Sequence, residues 1–139
     1  QAIHQRAHLL QAVYEGVVFS HMTHLNRMRE RFTDVHALRV TGGPAHSDVW
    51  MQMLADVSGL CIELPQVEET GCFGAALAAR VGTGVYRTFQ DAQHDLQHPV
   101  RTLQPDMAAH ARYQHKYQQY QHLIQALQGY HARIKEHAL

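Results

Sequence analysis

The chain has 139 residues, 45% of them apolar, and its 12 basic side chains balance its 12 acidic ones. That is the composition of one ordinary soluble domain, and zero net charge supplies no electrostatic pull toward nucleic acid or an anionic membrane. No apolar run reaches transmembrane length and no leader pattern is present, so the cytoplasm is the expected compartment; Cys61 and Cys72, in apolar segments without CxxC spacing, fit reduced thiols there.

Residues 1–32 read as one long helix. Ile3, Ala7, Leu10, Tyr14, Val17, His21, Leu25, Met28 and Phe32 recur at steps of three and four, an apolar stripe of helical period. Val13, Val18 and Phe19 widen it, so cover on more than one side is expected. Gly16 sits mid-helix, where glycine costs up to about 1 kcal/mol relative to alanine; a close backbone contact is the expected compensation. Thr33-Asp34 breaks the pattern.

"ALRVTGG", 37–43, reads as a short strand entering a turn. A helix from Ser47 to Ser58 follows, capped by Ser47 or Asp48, with Val49, Met53, Leu54 and Val57 as its stripe and Gly59 to end it. "CIEL", 61–64, is a second strand stopped by Pro65. A third helix spans Thr70 to Val81 and ends near Gly82 and Gly84. Its small residues, "GCFGAALAA", predict tight packing against a neighbour. Thr88 with Asp91 resembles a capping box for a short helix from Phe89 to Leu96. "PVRTLQP", 99–105, is extended. A last helix from Asp106 to Gln128 carries Tyr113, Tyr117, Tyr120, Ile124 and Leu127 at helical spacing, and the residues beyond Gly129 either continue it or fray. The order helix, strand, helix, strand, helix is an α/β pattern with strands under helices. Two strands make a poor sheet, so further strands are expected from elsewhere. The start at Gln1 rather than Met points the same way, to a fragment or a processed product.

The 13 histidines raise the question of metal. His4/His8 and His21/His24 have helical spacing, yet no HExxH, Cys/His cluster or carboxylate set completes either pair, so scattered surface and half-buried histidines are expected. There is no GxSxG, and neither cysteine has a polar setting that would lower its pKa. Glu63, Glu68 and Glu69 read as a solvated loop with a favourable charge at the start of the third helix. The tyrosine stripe reads as core, since no basic residues interleave it as in a base-stacking platform. Gly42-Gly43 differs: strand, glycines and helix N-terminus form a generic approach for a nucleotide, because glycine allows positive φ and leaves no side chain to hold a ring or phosphate away. Without GxGxxG or GxxxxGK[ST], neither a dinucleotide fold nor a P-loop is supported.

Val40 to Tyr86 closely resembles the C-terminal part of the FGGY carbohydrate kinases. The shared features are Gly42-Gly43 after a strand, Trp50/Gln52/Ala55-Asp56 in "WMQMLAD", Ile62-Glu63-Leu64-Pro65, "EETGCFGAALAA" from Glu68 to Ala79, and Gly84-Val85-Tyr86. Ala12 to Ser20 and the helix "ARYQHKYQQYQHL" extend the likeness to about residues 5–128. Within the family the pattern is most like the pentulose kinases, with L-xylulose the implied sugar.

The resemblance implies the C-terminal portion of an actin-like ATPase (ribonuclease H-like) domain, helix-rich with few strands. Residues 1–139 would be one unit, a partial second, nucleotide-binding lobe, with 106–139 as its C-terminal helix and tail. ATP and Mg are the implied cofactors, ATP and a sugar the implied partners. Gly42 and Gly43 would lie against adenine and ribose. Ser47, where the family often has Asn, would offer adenine a hydroxyl, a partial substitute for an amide; Asp48 is a neighbouring candidate. The family's catalytic aspartate and phosphate motifs lie upstream, and nothing in residues 1–38 resembles them. Phosphoryl transfer needs several separated elements, so no catalytic residue and no metal ligand is assigned, and the isolated chain is expected to be inactive. An exposed sheet edge and the apolar sides of the first helix imply a homo-dimer. The alternatives are a non-catalytic actin-like module for nucleotide sensing or protein interaction, and a Gly-Gly α/β domain that binds no nucleotide.

Overall fold

The apolar stripe of the first helix is only half used. In the computed structural model, which describes residues 3–67, 69–95 and 100–137, α1 spans Arg6–Arg31 and buries Val18, Phe19, Met22 and Leu25. Leu9, Leu10 and Val13, in its first half, are exposed. At its start the Gln5 N–H donates to His8 Nδ1 at 3.1 Å, replacing one of the helix-end bonds that the chain cannot make internally. Arg29 and Arg31 fall in its last turn, where a cation favours the carbonyl end. Gly16 has no close neighbour: a Cβ built there meets nothing within 4 Å. The contact expected at Gly16 is therefore absent, and the glycine is a plain helix defect. Gly16→Ala is expected to raise stability by up to about 1 kcal/mol, read as a higher melting temperature of this chain.

β1 (Ala37–Arg39), β2 (Cys61–Pro65) and β3 (Val100–Leu103) form one sheet in that order. β1 and β2 are parallel, with Leu38 beside Ile62. β3 runs antiparallel to β2, with Leu103 beside Ile62 and Arg101 beside Leu64. The stretch expected only to be extended is thus a third strand, and the sheet has three strands rather than two. Pro65 is the last residue of β2, not the residue beyond it; a proline at a strand end gives up no bond inside the ladder.

α2 (Asp48–Ser58) is the crossover between the parallel strands, the connection such a pair requires. It buries Met51, Ala55, Val57 and Ser58. Val49, expected in its stripe, is 75% exposed; the sheet lies under the row that carries Met51 and Ala55. Gly59 ends the helix at φ 68°, its N–H donating to Ala55 O at 2.8 Å, the left-handed stop glycine favours.

α5 (Met107–His137) runs straight through Gly129. Asp106 starts it, Oδ1 accepting from the N–H groups of Ala108 and Ala109 at 2.8 and 3.2 Å. Phe19 of α1 packs on Tyr113, Tyr117 and Tyr120 of α5, with ring centroids 6.4, 5.7 and 5.4 Å away. The buried Tyr117 hydroxyl lies 3.2 Å from Thr23 Oγ1 and accepts from Asn26 Nδ2 at 3.3 Å, so no polar group is stranded in this seam. Burial pushes the Tyr113 phenol up, and the charge of Glu15 adds to it. Two buried clusters result, one among α1, α2 and α5 around Phe19 and Val57, the other between α2 and the sheet around Met51 and Ile62. Leu38, Trp50 and Leu54 touch both, which makes the core continuous.

α3 (Thr70–Gly82) and α4 (Phe89–Asp95) lean on each other at the margin. Leu77 is the buried residue of α3, and a Cβ on Gly71 or Gly74 meets nothing within 4 Å. The tight packing expected from its small residues is not found within the described chain. Alanine is the best helix former, so "GAALAA" stays helical without a tight glycine contact. The Thr88 cap is present, its Oγ1 accepting from the Asp91 N–H at 3.1 Å; Leu96 and Pro99 lie outside the described residues. Among the described residues no helix is long and apolar enough to cross a membrane.

Candidate functional site

Past Arg39 the chain stays extended for one more residue, the Val40 N–H donating to Glu63 O at 2.9 Å. It then turns at Gly42, with φ 86° and ψ −173°. An L side chain rarely takes that conformation, so glycine is required on backbone grounds alone. Gly43–His46 forms one turn of 3-10 helix with Pro44 near its start, where a fixed φ and a missing N–H cost nothing. Ala45 donates to Gly42 O at 3.0 Å and Ser47 to Pro44 O at 3.1 Å. α2 therefore starts one turn after the glycines, not directly on them.

Ser47 is the cap of α2, Oγ accepting from the Trp50 N–H at 3.4 Å. That bond uses the oxygen as acceptor and leaves the hydroxyl proton out of it. Asp48, in the first turn, sits where a carboxylate is favoured. Its Oδ1 also accepts from Arg101 Nη2 across from β3. The Arg101 hydrogen bond, and after it the Arg101 charge, hold the Asp48 carboxyl below its usual range, and Asp48 raises Arg101 in return. A depressed carboxylate pKa means the pair is intact at neutral pH and is lost only as pH falls through the lowered value.

A groove of about 300 Å³ opens at the C-terminal ends of the parallel strands. Thr41, Gly42 and His46 form one side and the chain from Leu64 to Val67 the other, with Arg101 also in the lining. The volume is at the small end for a ligand site, and the position, outside the carboxyl ends of parallel strands, is where open α/β sheets place ligands. Of the residues expected at the site, Gly42 lines the groove, Gly43 begins the turn beside it, and Ser47 lies beyond it at the helix start. A Cβ on Gly42 or Gly43 would meet nothing within 4 Å, so the space over both is open. Arg101 and His46 were not expected. Nothing local in "PVRTLQP" marks Arg101; the β2–β3 register brings it in.

The other singled-out polar residues have structural work. Glu63 lies in β2, the strand read from "CIEL", and accepts from Arg39 Nε and Nη2 at 3.0 and 2.7 Å rather than standing free in solvent. Glu69 precedes α3 without a side-chain cap bond, and Glu68 lies outside the described residues. Gln52 and Asp56 tie α2 to the start of α5: Gln52 Nε2 donates to Asp56 Oδ1 at 2.8 Å and to Gln104 O at 2.9 Å, and Asp56 Oδ1 accepts from the Asp106 N–H at 2.9 Å. His110 Nδ1 meets Asp56 O at 2.8 Å. These groups are a joint, not a ligand set. Among the described residues no three His, Cys, Asp or Glu converge as a metal site, and the described groove lining contains no carboxylate. The Mg that the resemblance implies finds no ligand set among the described side chains.

Comparison with known proteins bears on this groove. Residues 2–83 match the model of the FGGY family of carbohydrate kinases, C-terminal domain. The whole chain is 86% identical over 139 residues to 28% of an L-xylulose/3-keto-L-gulonate kinase of Escherichia coli (strain K12). Over 129 residues, 93% of the chain, it is 53% identical to 26% of a probable L-xylulose kinase of Pasteurella multocida (strain Pm70). The chain thus spans about a quarter of the length of the curated relatives it matches. Among solved structures, a xyloylose kinase from Brucella ovis superposes with a TM-score of 0.79 at 29% identity, covering 93% of this chain and 26% of that one.

Proposed function

The chain belongs to the FGGY family of carbohydrate kinases, with residues 2–83 in the family's C-terminal domain, and from that premise we propose that it is the last part of the nucleotide-binding lobe of an ATP-dependent sugar kinase. Its fold is the C-terminal portion of an actin-like ATPase domain, helix-rich with a small sheet. In this reading the backbone of Gly42 and Gly43 lies against the ribose and adenine of ATP, and the Ser47 hydroxyl is offered to adenine. One observation carries it: Gly42 stands at positive φ on the lip of the groove, so the residue that the backbone demands also leaves room for a ligand to approach. The relatives' names support a pentulose such as L-xylulose as the sugar of the whole enzyme. Its contacts, the catalytic base and the phosphate motifs belong to elements this chain does not carry, and Mg would come with the nucleotide. Phosphoryl transfer is positioning and charge stabilisation by all of those elements together, so the chain alone is inactive. The exposed half of α1 and the outer edge of β1 support self-association, and the cytoplasm is its place of work.

Titration of the 15N-labelled chain with adenosine, followed at the Gly42 and Gly43 amides, tests the reading. Gly42→Val is expected to weaken adenosine at least tenfold while the chain stays folded, at a strain cost of about 1–3 kcal/mol. Unchanged adenosine affinity in Gly42→Val would overturn the assignment.

A further inference from the structure

Resting on the nucleotide reading of the groove, we infer that Arg101 makes the groove select a phosphorylated nucleoside over the bare nucleoside, with Asp48 holding the guanidinium in place until a phosphate takes it over. Among the described residues that line the groove, Arg101 carries the one permanent charge, and none carries a carboxylate. The rest of the lining is apolar, backbone or neutral polar, apart from the imidazole of His46. Among these described residues, an anion entering here meets a cation and no carboxylate.

The way Arg101 is held suits exchange. The structure pairs it with Asp48 through one nitrogen and one oxygen, Nη2 to Oδ1. A guanidinium has five N–H donors in a fixed fork, and the fork matches phosphate oxygens as well as carboxylate. Both side chains are wet, 44% and 68% exposed, so replacing one anion by another does not strand a buried charge. Arg39, on β1 at the opposite edge of the sheet, is the contrast: Glu63 takes both its Nε and its Nη2, and Arg39 is outside the groove lining. Asp48 is also outside the lining. It touches Arg101 from α2 and does not compete for the groove itself. The Arg101 hydrogen bond and then its charge hold the Asp48 carboxyl below its usual range, and its place in the first turn of α2 also favours a carboxylate, so the pair is held while the groove is empty.

The test compares ADP and adenosine as probes, by amide shifts of the 15N-labelled chain, for wild type, Arg101→Gln and Asp48→Asn. Far-UV circular dichroism and melting confirm that the surface variants fold. Wild type is expected to bind ADP at least tenfold more tightly than adenosine. Arg101→Gln should erase that gap with adenosine affinity unchanged. Asp48→Asn, which frees the guanidinium, should widen it several-fold. A gap that survives Arg101→Gln would overturn the proposal, and so would an equal loss for both probes, which would make Arg101 a packing element. If adenosine binds and wild type shows no gap, the selectivity fails and the nucleotide site stands. If neither probe binds wild type, the nucleotide reading fails and this proposal goes with it.

Discussion

Gly59→Val is expected to destabilise the chain by about 3 kcal/mol or more, the sum of a left-handed backbone cost of about 1–2 kcal/mol and a lost histidine bond of about 1 kcal/mol, with side-chain crowding added. Gly59 stands at φ 68°, and a Cβ there would lie 2.8 Å from His110 Cε1. The ring cannot move away without giving up its 2.8 Å bond to Asp56 O. Because α2 leads from the groove to this joint, the loss loosens both ends of the helix. The measurement is thermal melting, where a fall on the order of 10 °C is expected for a domain of this size. A double-mutant cycle separates the causes. In a His110→Ala background the clash is gone, so Gly59→Val should cost at least about 1 kcal/mol less. Equal costs in both backgrounds would show that the backbone conformation alone matters.

Phe19→Ala is expected to cost about 3–5 kcal/mol, the range for removing a buried aromatic ring. Phe19 is 5% exposed and contacts three tyrosine rings of α5. Aromatic pairs of this kind are worth about 0.5–1.5 kcal/mol each beyond the area they bury, and the vacated space cannot collapse while Tyr117 is tethered to Thr23 and Asn26. Urea unfolding checks it: a lower midpoint with an unchanged slope is the signature of lost native packing. A loss below about 1 kcal/mol would mean that α1 and α5 do not depend on this seam. Phe19→Leu keeps most of the volume and should cost clearly less.

Local chemistry was legible where a residue's own conformation or cap decides the outcome. Ser47, Gly59, Thr88 and Asp106 each sit at a helix end for a reason visible in neighbouring residues, and the helix limits follow from them. The Gly42 turn was legible for the same reason, and with the motifs around it the family was too. Four expectations failed where a partner had to be known. Gly16 and the small residues of α3 were expected to be covered and are open. Val49 faces out because the sheet lies under the neighbouring row of α2. Glu63 lies in the expected strand "CIEL" rather than among solvated carboxylates, because the parallel β1–β2 register sets Arg39 beside it.

What the sequence by itself determined is the helices, the two parallel strands, their caps, the glycine turn and the kinship, because each rests on interactions between residues a few positions apart or on an ordered string of motifs. What only the tertiary structure decided is the groove. Arg101 lies 53 positions from Asp48, and the β2–β3 register puts it beside Leu64. A strand's side chains alternate between two faces, and a shift of one residue would send Arg101 to the other side. No local property of "PVRTLQP" contains that choice; it is made when the edge strand pairs.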